Sequence, residues 1–280
     1  MKRWYSAALA VCMMAITWES ARAGVIAVPP AGPNRIAKAD AVIVGKVDAI
    51  EPQDVKVGNT TYRIAVVSIE QAIRGVKSAK SLRIGFTPPP PPPDGKGPLI
   101  FTSGPRPIQL KVGQESLFLL AKLPKENVYV IGGIMGYHID RDKNPTFEKE
   151  VELAKAAVKV IDNPQSALKS KDADERLLAA AYLIETYRSF KGPTVPKLEA
   201  IDADESKLIL QTLAKSDWKA NADFRSIRPA PWQLFQKLGV TAKDGYAPQP
   251  GANYQATMQT WLADNAQKYR IQRFAAQETK

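Results

Sequence analysis

The sequence predicts a multidomain α+β chain in which a compact antiparallel β module precedes an α-helical domain, both behind a removable leader. Three observations predict it. The first 23 residues combine a charged start, an apolar run and a small-residue cleavage pattern. From Ala39 to about Tyr137 the apolar pattern has the length and alternation of strands. After Asn144 and Pro145 the apolar spacing turns helical. The expected divisions are a signal peptide over 1–23, a β domain over 24–137, a linker over 138–145 and a helical domain over 146–280.

The leader starts with Lys2 and Arg3 and continues as an almost unbroken apolar run from Trp4 to Trp18. Ala21 and Ala23 are the small residues of the cleavage site, and Gly24 is the expected first residue of the mature chain. The run falls short of the roughly 20 residues that span a bilayer, so no transmembrane segment is expected after cleavage. The expected location is outside the cytoplasm, periplasmic or extracellular. Cys12 is the one cysteine, so the chain from Gly24 has no thiol for a disulfide, a nucleophile or a metal site. Lys2, Arg3 and Arg22 against Glu19 account for two of the +11 formal charges, which leaves the mature chain at about +9.

The β domain is read from "AVIVGKVDAI" (41–50), "TYRIAVVSIEQAI" (61–73), "SLRIGF" (81–86), "IQLKVG" (108–113), "SLFLLAKL" (116–123) and "NVYVIGG" (127–133), with turn residues between them. A stiff "TPPPPPPDGKGP" falls between the third and fourth of these. Both neighbours belong to one module, so the stretch 87–107 is expected as a projecting, disordered proline-rich loop rather than a spacer between domains.

In the second half, "TFEKEVELAKAAVKVID" (146–162) places Phe147, Val151, Ala154, Val158 and Ile161 at helical spacing. Prolines at 164, 193, 196, 229 and 231 break the following helices. The motif "DADE" occurs at Asp172 and again at Asp202. Without a third aspartate or a turn glycine it does not suit calcium. Asp172 with Glu175, and Asp202 with Glu205, have the spacing of a helix-starting capping box. Two such starts resemble HEAT-type helical pairing. A last helix is expected from Asn253 through "NYQATMQTWLADNAQKYRIQRF", burying Met258, Trp261 and Leu262.

For chemistry, the single histidine is His138 in "GYHIDRDKN". On an extended segment His138, Asp140 and Asp142 point the same way, which is a minimal set for a divalent metal. The competing reading is a solvated linker. There is no G-x-S-x-G, and "DGKGP" lacks the spacing of a phosphate loop. No cofactor is expected. The basic residues are scattered without interleaved aromatics, which together with export argues against nucleic acid. The expected function is non-catalytic binding of another exported protein or an anionic envelope polymer. The alternative is a metal-dependent hydrolase centred on His138.

The stretches "ADAVIVGKVDAIE", "YRIAVVSIEQAIRG", "SLRIGF" and "KVGQESLFLLAK" resemble the netrin-like, OB-type barrel of tissue inhibitors of metalloproteinases over about residues 39–132. The resemblance implies an OB-like antiparallel barrel there. Those inhibitors act through a cysteine at the mature N-terminus. The chain from Gly24 has none, so the resemblance does not extend to that mechanism. The overall plan of leader, barrel and helical domain resembles that of bacterial exported proteins.

Overall fold

The computed structural model describes residues 32–87, 108–124, 126–131, 137–190, 196–219 and 226–275. The cleavage residues Ala21, Ala23 and Gly24, and the proline-rich stretch beyond Thr87, lie outside them. The chain is mixed α and β. Helix α1 (Gly32–Lys38) leads into β1 (Ala41–Ile50), β2 (Val55–Val57), β3 (Thr60–Arg74), β4 (Ser81–Phe86), β5 (Glu115–Lys122), β6 (Tyr129–Ile131) and β7 (Tyr137–Asp140). Then come α2 (Phe147–Asp162), α3 (Pro164–Ala167), α4 (Ala173–Tyr187), β8 (Leu198–Ala200), α5 (Ala203–Lys215), α6 (Pro231–Leu238), α7 (Tyr254–Asn265) and β9 (Gln272–Phe274).

Strands β1 to β7 form one sheet in the order β1-β3-β4-β6-β5-β7, with β2 added to β3 and a further pairing of β5 back to β1. The β4–β6 pairing is parallel, where the sequence reading expected antiparallel strands throughout. It arises because β5 follows β4 in the chain yet lies on the far side of β6.

The two central strands explain themselves by burial. From β1, Val42 and Val44 face the helices, while Ala41 and Ile43 face the sheet's own interior. From β5, Leu117 and Leu119 face the helices, and Phe118 and Leu120 face inward. A strand covered on both faces reads as a continuous apolar run, which is why "AVIV" and "LFLL" do not alternate. At Gly45 the β1–β3 register shifts, and a Cβ there would press on the Ser68 carbonyl oxygen. Beyond it Lys46 and Asp48 are exposed and Val47 stays buried.

The helical layer is assembled from both ends of the described chain. Helix α1 packs on α2 and α4. One apolar cluster runs from Ile36, Val42, Leu117 and Ile139 through Phe147, Val151 and Ala154 to Leu177, Ile209 and Leu262. Sheet and helices therefore share a core.

Several sequence expectations need correction. Residues 108–113 are not a strand. They approach the sheet through a turn in which the Gly113 N–H donates to Val47 O at 2.8 Å and the Val47 N–H donates to Gln114 O at 2.9 Å. Leu110 still packs in the same interior cluster as Phe86, so both sides of the proline-rich stretch return to one interior. Part of the stretch read as a linker is β7, paired with β5 from Leu119↔Tyr137 to Ser116↔Asp140. Tyr137 and Ile139 supply an apolar face that a solvated linker would lack. The last helix stops at Asn265, and Gln272–Phe274 pairs with β8 instead. Ile271 is fully buried and donates its N–H to Ser206 Oγ at 3.0 Å, so tertiary contacts override the helical periodicity. Within α2, Val158 and Ile161 are only partly buried, and Ala157 and Val160 take the core positions.

Candidate functional site

Alternation along β7 sends Tyr137 and Ile139 toward the helical core and His138 and Asp140 the other way. His138 lies opposite Phe118, their rings stacked with centroids 6.1 Å apart. The Asp140 carboxylate closes the following turn: it accepts from Lys143 Nζ at 2.8 Å and from the Asp142 N–H at 3.2 Å. Asp142 has by then left the strand. Among the described residues no group of three or more His, Cys, Asp and Glu is disposed to hold a metal. His138, Asp140 and Asp142 are thus not brought together as a ligand set.

The two "DADE" motifs start helices. The Asp172 carboxylate accepts from the N–H groups of Asp174 and Glu175 at 2.7 and 3.0 Å, and Asp202 accepts from those of Asp204 and Glu205 at 2.9 and 3.0 Å. The return half of a capping box is absent from both. Glu175 instead accepts from Ser170 Oγ, and Glu205 from the Tyr187 hydroxyl, which ties α5 to α4. Full reciprocity occurs at Thr241 and Asp244, which the sequence reading missed because the turn they cap is only three residues long. Asp172→Ala is expected to cost about 1 kcal/mol in urea denaturation.

The Glu205, Asp204 and Ala203 N–H groups, with Arg270 nearby, hold the Asp202 carboxyl below its ordinary range. The stabilisation from Asp202 is therefore complete above the unfolded pKa and is lost as pH falls through the lower folded value. Thermal scans should show Asp202→Asn less stable than wild type at neutral pH, with the gap closing in acid.

A surface cleft of about 380 Å³ opens where α2, α3 and α4 meet, with Lys159, Asn163, Lys169 and Glu175 in its walls. Its polar groups largely satisfy one another: Asn163 Oδ1 accepts from the Ser166 N–H, and Glu175 accepts from Ser170.

A buried polar cluster joins the helical layer to the sheet. Glu150 of α2, 5% exposed, accepts from Ser226 Oγ and from the Ile227 N–H, both at 2.6 Å. Arg35 of α1 donates to Ser226 O at 2.7 Å and stacks 4.3 Å over the Tyr137 ring. The geometry braces α1, α2, β7 and residues 226–228 against each other.

The charges on the sheet fall into two groups. Arg83 donates to both Glu51 oxygens at 2.7 Å, and this bonding lowers the Glu51 pKa. Arg63 pairs with Asp54, Lys46 with Glu115, and Arg141 with Glu115 and Glu148. In contrast, Arg74 at the end of β3 and Lys77 and Lys80 on the β3–β4 connection make no ion pair with a described residue. Gly75, at φ +87°, sits so close to Asp40 that a Cβ would overlap its carbonyl oxygen. Asp40 in turn accepts the Lys122 N–H at 2.7 Å, and Lys38 lies two residues before it. Lys38, Arg74 and Lys122 thus come from backbone around Asp40 at one end of the sheet, and Lys77 and Lys80 follow on the β3–β4 connection that starts there at Gly75. Their sequence signal was weak: three are near neighbours in the chain, but Lys38 and Lys122 arrive only through folding.

No protein-family model matches the chain, and no curated protein matches it.

Proposed function

We propose that this is an exported, non-catalytic binding protein whose ligand is an anionic polymer of the cell envelope or matrix, and whose β half is an OB-type barrel. The observation that carries the reading is the order of pairing. It runs β1-β3-β4-β6-β5 and returns to β1, with β4 and β6 parallel. This order supports a five-stranded Greek-key ring, an architecture whose second and third strands and flanking loops receive extended polymers. The equivalent strands here are β3 and β4, and it is the connection between them, with Lys77 and Lys80, that is open to a polyanion, since Arg63 and Arg83 on the strands are already paired. The charged, apolar and small-residue succession of the first 23 residues supports export. The capped starts of α4 and α5 support HEAT-type pairing in the helical layer.

The test is calorimetric titration of the chain from Gly24 with polygalacturonate, with dextran sulfate and with uncharged dextran, at low and high salt. Binding to an anionic polymer that weakens with salt is expected. Binding to none of the three, or equal binding to uncharged dextran, refutes the reading.

A further inference from the structure

We infer that the polyanion is held at the basic end of the sheet, by Arg74, Lys77, Lys80, Lys38 and Lys122, and not on the outer face of β3 and β4. This rests on the binding reading above and gives it a location. On the outer face the arginines are already neutralised. An incoming carboxylate or sulfate would have to displace Glu51 from its two-point bond with Arg83, or Asp54 from Arg63. At the basic end no such displacement is needed. Asp40 is the acidic residue against Gly75, and one of its carboxylate oxygens is occupied by the Lys122 N–H. Glu70, exposed on β3, pairs with none of the five.

The β3–β4 connection is held at both of its ends by backbone contacts. Strand β3 runs past the β3–β4 ladder, which ends at Ser68↔Ser81, and continues to Arg74 paired with β1 alone. Its end is held by Arg74 opposite Val42, by Gly75 against Asp40 and by the Ile69 N–H on Lys80 O at 2.9 Å. Val76 points inward and is buried, which leaves Lys77 and Lys80 outermost. A pre-set backbone reduces the ordering cost of binding.

The form of the site selects a polymer. Lys38, Lys77, Lys80 and Lys122 are exposed and Arg74 is half-buried, and such open bases suit repeated charges along a chain better than one small ion. Among the described residues, the exposed large apolar ones, Val112, Phe190, Leu198 and Tyr254, are all on other segments. Among its described residues the basic end therefore offers no large exposed apolar side chain to an acyl layer, and charge would have to hold it to a lipid surface.

The experiment compares two variants of the chain from Gly24 on polygalacturonate and dextran sulfate, with phosphatidylglycerol vesicles as a third arm. The triple variant Arg74→Gln, Lys77→Gln and Lys80→Gln alters two exposed side chains and the half-buried Arg74, and circular dichroism checks its fold. It is expected to weaken polymer binding by about tenfold or more and to flatten the salt dependence. The control variant Arg63→Gln with Arg83→Gln is expected to stay within about twofold of wild type. If wild type binds and the triple variant binds equally well, or if the control variant loses more, the location is wrong and the binding function stands. If wild type binds neither polymer, the function itself fails and the location with it. Tighter binding to the vesicles than to either polymer assigns the end to a lipid surface and overturns the inference.

Discussion

Replacing Glu150 by alanine is expected to lower the unfolding free energy by about 3 kcal/mol, read from urea midpoints at constant slope. The carboxylate is buried on the core face of α2 and accepts from Ser226 Oγ and the Ile227 N–H at 2.6 Å each. Alanine leaves both donors without an acceptor, at about 1–3 kcal/mol apiece, and opens a small void beside them. The damage extends further, because Ser226 also receives Arg35 on its carbonyl and the Arg228 N–H on its hydroxyl. Glu150→Gln keeps the volume and one good acceptor, so its loss should be about half as large. A loss below about 1 kcal/mol for the alanine variant would mean that water satisfies the donors and that the brace carries little stability.

Phe118→Ala is expected to cost about 3–5 kcal/mol, the range for emptying a buried aromatic site. Phe118 is fully buried and points into the sheet's interior from the middle of β5. Its backbone neighbours are Ile43 on β1 and His138 on β7, so three strands line the space it would vacate. Phe118→Leu keeps most of the volume and should cost under about 1.5 kcal/mol. Equal midpoints for the alanine and leucine variants would show that the interior collapses around the gap.

Much of the β half was legible because its strands carry their own signals. "TYRIAVVSIEQAI" alternates, and "AVIV" and "LFLL" are the continuous runs of doubly covered strands. The helix starts at Asp172 and Asp202 were legible because a capping aspartate is a local device that acts within three residues. The misplaced features depend on distant parts of the chain. Residues 108–113 look like a strand by composition, but only the end of this segment meets the sheet, where Gly113 and Gln114 bond to Val47. The segment after Asn265 has helical spacing, yet Ile271 is drawn into the core and Gln272–Phe274 into pairing with β8. A helix before β1 was not foreseen, since "GPNRIAK" is too short to show a period. Glu150 carries no sequence signal of its own, because spacing alone cannot tell a buried carboxylate from a solvated one. The basic end was invisible for the same reason: its lysines come from α1, the β3–β4 connection and β5.

Sheet and helices share one core, so the basic end is presented by a single folded body. Trp218 and Trp261 are buried in the helical layer and Trp232 packs beside them, so tryptophan fluorescence of the chain from Gly24 reports on the helices alone. Phe118 lies in the sheet's interior cluster, apart from that layer. The direct measurement is urea unfolding of wild type and Phe118→Ala followed by tryptophan fluorescence. A fluorescence midpoint that falls with the loss of strand structure in the variant is the predicted result. A midpoint unchanged from wild type while the strands melt early would mean two independently stable halves, and would contradict the shared core.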